Sequence, residues 1–368
     1  MYHKNLLRLE MNTKIPLVLQ PLLIIIIIVS VQYSYAVQNN TISAVFVFGD
    51  STVDPGNNNY LPTIARGNFP PYGKDFENHV STGRFSNGRL VTDFVAEFVG
   101  VKKNLPPYLD PSLTIEDLMS GVSFASAGAG FDPLTSQISS ALTQSQQLDL
   151  FKEYKAKLEA AIGKERTQDL VGRAGYLVSS GTNDFTFNYY GPLPIRRSSY
   201  PTISEYQKFQ WQLIENFLQE LMDLGAKKIG VVGTPPMGCL PAIITLNSKR
   251  PITGRECNET YNSLSRNVNQ MLQNNLKSLE RPGTKIVYAD IYNPLIDMVR
   301  QKTKYGFEQV HKGCCGTGLI EADFGCNPVS PLCDDVLKYV FWDAFHPTEK
   351  GYRIIFDSLK PVIQMALE

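Results

Sequence analysis

The chain has 368 residues and a formal net charge of zero, from 35 basic and 35 acidic residues. This balance provides no basic field for nucleic acid or for an acidic membrane surface, and it favours a small or neutral partner. The sequence has no Ser/Gly-rich linker, long charge block or internal repeat, which predicts one domain after the N-terminal segment.

Residues 1–36 are predicted to form a signal peptide that is cleaved. Basic residues precede an apolar stretch at residues 16–31, and Ser34-Tyr35-Ala36 then supplies small residues for the cleavage site. A membrane anchor is the alternative, but the stretch is shorter than the roughly 20 residues of a span, and Gln20-Pro21 interrupts it. The sequence therefore predicts secretion, with a single domain at residues 37–368 and no membrane span after cleavage.

Apolar strand patterns then alternate with helical patterns. Short runs rich in Val, Ile, Tyr and Phe predict strands at residues 44–48, 121–124, 176–179, 228–232 and 285–289. Helical periodicity predicts helices at residues 90–98, 140–158, 204–224, 257–279 and 347–366. Near-continuous apolar strands separated by helices indicate a parallel sheet covered on both faces. The predicted fold is three-layer α/β/α with a five-stranded parallel sheet.

Segments suited to ester chemistry follow the first three predicted strands. The first strand ends in Gly49-Asp50-Ser51, the second in the small residues 125–130, and the third in residues 180–184. Because open α/β sheets bind ligands beyond the carboxyl ends of their strands, these segments should meet at one edge. Ser51 would be the nucleophile. The backbone N–H groups of Ser51 and Gly128, with the Asn183 amide, would form an oxyanion hole.

A histidine near the C-terminus provides the base for this serine. The chain has four histidines, of which His79, His311 and His346 remain after signal cleavage. His346 closely follows a carboxylate, Asp343, and of the three it alone precedes a proline, which suits the first turn of the last predicted helix. Asp343 would fix the imidazole tautomer, and His346 would take the Ser51 proton. The predicted catalytic residues are thus Ser51, Asp343 and His346.

The cysteines fit an oxidising compartment. All six lie in the second half of the chain: Cys239, Cys257, Cys314, Cys315, Cys326 and Cys333. An even set predicts disulfides, with Cys239 to Cys257 closing one loop and the other four able to pair in three ways. A zinc site is the alternative, but no paired C-x-x-C spacing is present, so we expect no metal and no cofactor. Asn39 and Asn258 open N-x-T sequons and are candidate glycosylation sites.

Several ordered motifs point to one family. They are FGDSTVDPGNNN at residues 48–59, GRFSNGR at 83–89, residues 121–130, GTND at 181–184 and FWDAFHP at 341–347. The chain resembles the GDSL esterase/lipase family of the SGNH hydrolase superfamily, in its secreted plant branch, over essentially all of the mature sequence. The resemblance implies a flavodoxin-like sheet and the same catalytic and oxyanion-hole residues. In a plant, secretion would deliver the protein to the extracellular space, the apoplast.

The leading hypothesis is a secreted, monomeric serine carboxylic-ester hydrolase. Its partner would be a small-molecule, lipid or polymer acyl ester, with no nucleic acid. An acyltransferase that passes the acyl group to a sugar or lipid hydroxyl is one alternative, and a catalytically silent wall-associated binding protein is another. An α/β-hydrolase would require a G-x-S-x-G elbow, and residues 121–125 lack its last glycine.

Overall fold

The computed structural model describes residues 42–191, 194–247, 253–317 and 326–367. The predicted signal peptide and the sequon at Asn39 lie outside the described residues. From residue 42 onward, contacts join the chain into one compact unit. No helix in the described ranges is both long and apolar enough to span a bilayer.

Four parallel strands form the central sheet. They are β1 (Val45–Gly49), β2 (Gly175–Ser179), β3 (Lys228–Val232) and β4 (Lys285–Ala289), and they lie side by side in that order. A separate parallel pair consists of β5 (Gln309–Gly313) and β6 (Tyr339–Phe341). The register pairs Gly49 with Ser179, so the carboxyl ends of β1 and β2 are adjacent. This adjacency is what the predicted site requires.

The predicted strand at residues 121–124 is not a regular strand, which corrects the expected five strands to four. Residues 120–126 do run parallel to β1 and exchange backbone hydrogen bonds with it. On the outer side, Asn57 Nδ2 donates to Ser123 O and to Ala125 O, at 2.8 Å each. Residues 106–108 add a single parallel bridge at Ser123, through the Ser123 N–H to Pro106 O and the Tyr108 N–H to Ser123 O, so pairing beyond this segment does not continue as a regular strand. When residues 120–126 are counted as a fifth strand beside β1, the order of the strands matches the flavodoxin-like arrangement.

The helices of the described ranges connect and cover these strands. They are α1 (Val91–Phe98), α2 (Ile115–Met119), α3 (Pro133–Ile138), α4 (Gln144–Ile162), α5 (Lys164–Arg173), α6 (Arg196–Ser199), α7 (Ile203–Asp223), α8 (Pro241–Asn247), α9 (Glu259–Leu276), α10 (Tyr292–Arg300) and α11 (Glu349–Leu367). A short π-helical turn, Asp184–Tyr189, follows β2.

These helices form layers on both faces of the sheet. α4 packs on β1 and on α7, while α9 packs on β4. Because α4, α7 and α9 belong to successive connections that run in the same direction, right-handed crossovers put them on one face. α11 packs on β3, β4 and α1. α11 and α1 form the helical layer on the other face of the sheet. The result is the predicted three-layer α/β/α architecture.

Aromatic side chains fill the interface between β1 and α4. Phe46 and Phe48 of β1 pack against Phe151 of α4, with ring centroids 5.3 and 5.7 Å apart. All three rings are fully buried, and Phe48 also stacks on Phe124 at 5.1 Å. Truncating one such ring to alanine costs about 3–5 kcal/mol. This packing fixes the strand that ends at the predicted nucleophile.

The last helix begins at Glu349, two residues later than the predicted start at residue 347. Thr348 Oγ1 accepts the Gly351 N–H at 3.2 Å and so caps the first turn. His346 therefore lies in the loop before the helix, and its carbonyl accepts the Trp342 N–H at 2.7 Å. This bond closes a tight loop around the D-x-x-H motif.

The predicted disulfides are confirmed, and every cysteine takes part. The pairs are Cys239–Cys257, Cys314–Cys333 and Cys315–Cys326, which settles the pairing that the sequence left open. The Cys314 and Cys315 N–H groups donate to Phe341 O and Trp342 O, at 3.1 and 2.7 Å. Two crosslinks therefore brace the segment that leads into Asp343.

Candidate active site

The turn after β1 holds Ser51 in a fixed position. Gly49 has a φ of 144°, and a Cβ there would lie 1.9 Å from Ser179 O, so only glycine fits. Asp50 accepts the Thr52 N–H at 3.0 Å and the Thr52 hydroxyl at 2.7 Å. These bonds stabilise the turn, so Asp50 has a structural role here. Ser51 thus lies at the carboxyl end of the sheet.

Gln147 of α4 clamps the same turn. Its Oε1 accepts the Gly49 N–H at 2.8 Å, and its Nε2 donates to Gly49 O at 2.9 Å. Gln147 is fully buried, so both bonds are shielded from water. Nothing in the sequence pattern indicates this contact, because the partners are 98 residues apart.

Ser51, His346 and Asp343 form a continuous hydrogen-bonded chain. His346 Nε2 lies 2.7 Å from Ser51 Oγ, and His346 Nδ1 lies 2.8 Å from both carboxylate oxygens of Asp343. His346 and Asp343 are only 7% and 4% exposed, whereas Ser51 is partly accessible. With a proton on Nδ1 facing the carboxylate, Nε2 is free to accept the serine proton.

The Asp343 carboxylate also accepts hydrogen bonds from donors other than the imidazole. The Phe345 and His346 backbone N–H groups donate to Oδ1 at 2.9 and 2.8 Å, and the Tyr72 hydroxyl donates to Oδ2 at 2.8 Å. Burial alone would raise the pKa of Asp343, but the charge of His346 and these hydrogen bonds outweigh burial and hold the pKa below its usual value. The carboxylate is therefore ionised at neutral pH. Tyr72, 271 residues away along the chain, is a contact that no sequence signal indicates.

The three predicted oxyanion-hole residues, Ser51, Gly128 and Asn183, line one cleft together with His346. In the described part of the chain, the Ser51 and Gly128 backbone N–H groups have no bonded acceptor. Asn183 Nδ2 donates one of its two hydrogens to Ala129 O, at 2.9 Å, which leaves the other hydrogen for a further acceptor. These residues thus offer N–H donors beside the serine hydroxyl. Donors so arranged can stabilise an oxygen that gains negative charge.

The loop that follows the nucleophile turn holds Gly128. Asp54 accepts the Ala127 N–H at 3.0 Å, and Asn58 Nδ2 donates to Ala127 O at 2.9 Å. Gly128 itself has a φ of 87°, and a Cβ there would lie 2.5 Å from the Ser139 Cβ. Asp54 and Asn58 therefore have a structural role, which is to position the residue before Gly128.

Replacing Asn183 by alanine should lower kcat by about 10²–10³-fold, because a donor to the transition-state oxygen is lost. KM should change little, since this donor serves the negatively charged oxygen more than the neutral ester. Steady-state rates on a neutral acetyl ester measure both parameters. Exposed Asn274→Ala is the matched control, and a kcat within about threefold of wild type in Asn183→Ala would remove Asn183 from the hole.

Asp184 secures the loop that carries Asn183. Its carboxylate accepts the Phe131 and Asp132 N–H groups at 2.8 and 3.2 Å and the Thr135 hydroxyl at 2.5 Å. Burial raises the pKa of Asp184 to about 7, and the nearby charge of Asp132 acts in the same direction, against the lowering effect of the donors. The folded chain therefore binds a proton here more readily than the unfolded chain does.

We expect Asp184 to make stability fall as pH rises between about 4 and 7, because the folded state binds the additional proton in that window. The stability difference between wild type and Asp184→Asn should accordingly shrink from pH 5 to pH 8, by on the order of 1–3 kcal/mol. Urea unfolding of both proteins at pH 5 and pH 8 measures this stability difference. The contributions of titratable groups that both proteins share cancel. A difference that stays constant or grows would show that Asp184 is ionised throughout.

Aromatic side chains form much of the remaining cleft wall: Phe69, Tyr72, Phe85, Phe187 and Phe345. Phe187 lines the cleft, whereas Tyr189, two residues later, is buried and stacks on Tyr206. His79 and His311 do not line the cleft. In the described ranges, no group of His, Cys, Asp or Glu has the arrangement of a metal site.

Comparison with known proteins agrees with this geometry. The family model "GDSL-like Lipase/Acylhydrolase" matches residues 45–359. The chain is 50% identical over 334 residues to "GDSL esterase/lipase At5g45960" from Arabidopsis thaliana, covering 90% of this chain and 88% of that protein. It is 45% identical to "GDSL esterase/lipase At2g31540" of the same plant, with coverage of 87% and 89%. The chain therefore belongs to the GDSL-like lipase/acylhydrolase family.

Proposed function

We propose that this chain is a secreted serine carboxylic-ester hydrolase that cleaves acyl esters through an acyl-enzyme on Ser51. The observation that carries the proposal is the 2.7 Å contact between Ser51 Oγ and His346 Nε2, with Asp343 on the opposite side of the imidazole. The names of the similar Arabidopsis proteins, which call them esterase/lipase, support the same reaction class.

In the first half of the reaction, His346 Nε2 takes the proton as Ser51 Oγ bonds to the ester carbonyl carbon. The carbonyl oxygen gains negative charge and is bound by the Ser51 and Gly128 N–H groups and the Asn183 amide. The tetrahedral intermediate then collapses, and the alcohol leaves with the proton from Nε2. Asp343 stays ionised and stabilises the imidazolium in between.

In the second half, water replaces the alcohol. His346 removes a proton from the water, whose oxygen attacks the acyl carbon, and the same donors bind the oxygen of the second intermediate. Release of the acid returns the proton to Ser51. A sugar or lipid hydroxyl in place of water would give transacylation from the same acyl-enzyme.

The purified mature chain tests the proposal. It should hydrolyse neutral acetyl and butyryl esters, and an organophosphorus ester should add one phosphoryl group to the peptide that contains Ser51. Products formed with and without an alcohol acceptor separate hydrolysis from acyl transfer. A protein that neither turns over these esters nor reacts at Ser51 would instead be the silent binding protein.

Secretion is part of the same proposal. Three disulfide bonds are expected of an oxidising compartment such as the extracellular space or apoplast. We propose one domain at residues 37–368 that acts as a monomer after cleavage of residues 1–36. Asn258 suits a glycan, because its Oδ1 caps α9 through the Thr260 N–H while its Nδ2 is not needed for the cap.

A further inference from the structure

We propose that Arg66 is a specificity-determining residue that selects esters carrying a carboxylate, an inference that rests on the esterase function proposed above. Arg66 lines the same cleft as Ser51, Gly128, Asn183 and His346. It would bind the carboxylate of the substrate while the ester group lies at Ser51. Nothing in the catalytic steps themselves requires this cation.

The charge balance of the cleft supports this role. Arg66 is the one permanent cation among its lining residues in the described structure, and no Asp or Glu lines it. Asp343 lies behind the His346 imidazole and outside the lining. The aromatic walls lower the local dielectric, so the attraction of an anion to Arg66 is weakened less than it would be in bulk water. A neutral ester gains nothing from this charge.

Arg66 retains unused donor capacity. Its Nη2 donates to Leu61 O, and its Nε is buried without a partner. Three other arginines with little exposed side chain meet a carboxylate: Arg84 with Asp93, Arg89 with Glu97 and Arg196 with Asp132. No carboxylate of the described residues forms such a pair with Arg66. Capping one backbone carbonyl uses a single donor of a group that offers five.

A carboxylate fits this site better than a phosphate. A planar guanidinium binds a carboxylate through two parallel hydrogen bonds, and one positive charge balances one negative charge. A phosphate dianion would call for a second cation, and the described lining supplies none. The expected substrates are therefore half-esters of dicarboxylic acids or esters of hydroxy acids.

The loop that carries Arg66 is fixed relative to the oxyanion donors. Asn58 Nδ2 donates both to Ala65 O, at 2.8 Å, and to Ala127 O, at 2.9 Å, so one side chain joins this loop to the residue before Gly128. Thr63 Oγ1 further donates to Ser139 O at 2.7 Å. A cation held in this way is preorganised, so binding of the substrate carboxylate does not have to order the loop.

Matched ester pairs test the proposal on the mature enzyme. para-Acetoxybenzoate against para-acetoxybenzamide places the carboxylate on the alcohol side, and monoethyl glutarate against its monoamide places it on the acyl side. Wild type should prefer the carboxylate in at least one pair, by about tenfold in kcat/KM. Added salt should reduce the preference. Arg66→Gln should abolish it through a higher KM, and Arg66→Lys should keep part of it.

The variants separate recognition from structure. Arg66→Gln removes the charge and keeps a shorter polar side chain with N–H donors. Rates on the amide esters should then stay within about twofold of wild type, as they should on all esters in the exposed control Arg281→Gln. Equal turnover of both members of each pair by wild type would overturn the inference, as would equal losses on both members in Arg66→Gln. Absence of turnover on all four esters, with no organophosphorus labelling of Ser51, would instead reject the esterase function.

Discussion

Replacing Ser51 by alanine should lower ester turnover by at least about 10⁴-fold, because the atom that forms the acyl-enzyme is gone. The remaining donors and the cleft would still bind substrate, so a turnover slightly faster than the uncatalysed reaction in water is expected. His346→Ala should lose about as much, and the double variant should be no worse than either single one, since the two residues act as one unit. Initial rates at saturating acetyl ester measure the loss.

The fold should survive the Ser51→Ala change. Among the described residues, the removed hydroxyl makes one hydrogen bond, to His346 Nε2, and it lies in a partly accessible turn fixed by Gly49 and Gln147. Losing it should cost about 1 kcal/mol, or less than about 4 °C in the unfolding midpoint. Exposed Ser278→Ala is the matched control and should leave both rate and stability unchanged. Turnover by Ser51→Ala within about tenfold of wild type would assign the chemistry to another residue.

The general position of the site was predictable because it depends on topology. In a parallel sheet, every strand has its carboxyl end at the same edge, so the strand patterns that end at Phe48 and Ser179 predict that Ser51 lies near Asn183. The D-x-x-H spacing likewise sets a local turn, in which the Asp343 carboxylate accepts from the backbone and the ring of His346. Local rules and sheet geometry together explain why these residues lie close together.

The sequence does not reveal contacts that depend on loops. Tyr72 reaches Asp343 and Gln147 clamps Gly49 across long stretches of chain, and neither residue belongs to a periodic pattern. The apolar run at residues 121–124 predicts a strand, but the segment is not a regular strand, and the Asn57 side chain bonds Ser123 O and Ala125 O on its outer side. Side-chain hydrogen bonds between distant segments decide these features, and hydrophobic periodicity carries no information about them.

Replacing Asp343 by asparagine should lower kcat by about 10⁴-fold with the geometry of the site preserved. Asp343 is surrounded by donors: two backbone N–H groups, the Tyr72 hydroxyl and His346 Nδ1. If the asparagine oxygen keeps the backbone bonds, its NH₂ faces Nδ1 and donates to it. The imidazole must then hold its proton on Nε2, so Nε2 donates to Ser51 Oγ and can no longer accept from it.

The pH profile tests this explanation of the Asp343→Asn loss. In wild type, turnover should fall in acid as His346 becomes protonated, while Asp343 remains ionised because its pKa lies below the usual value. In Asp343→Asn, protonation of His346 is less favourable without the carboxylate charge, so the acid fall should move to lower pH. Rates from pH 4 to 9 on a neutral acetyl ester measure both effects, with exposed Asp149→Asn as the control. If Asp343→Asn kept kcat within about tenfold of wild type, with an unmoved profile, the charge of Asp343 would have no part in catalysis.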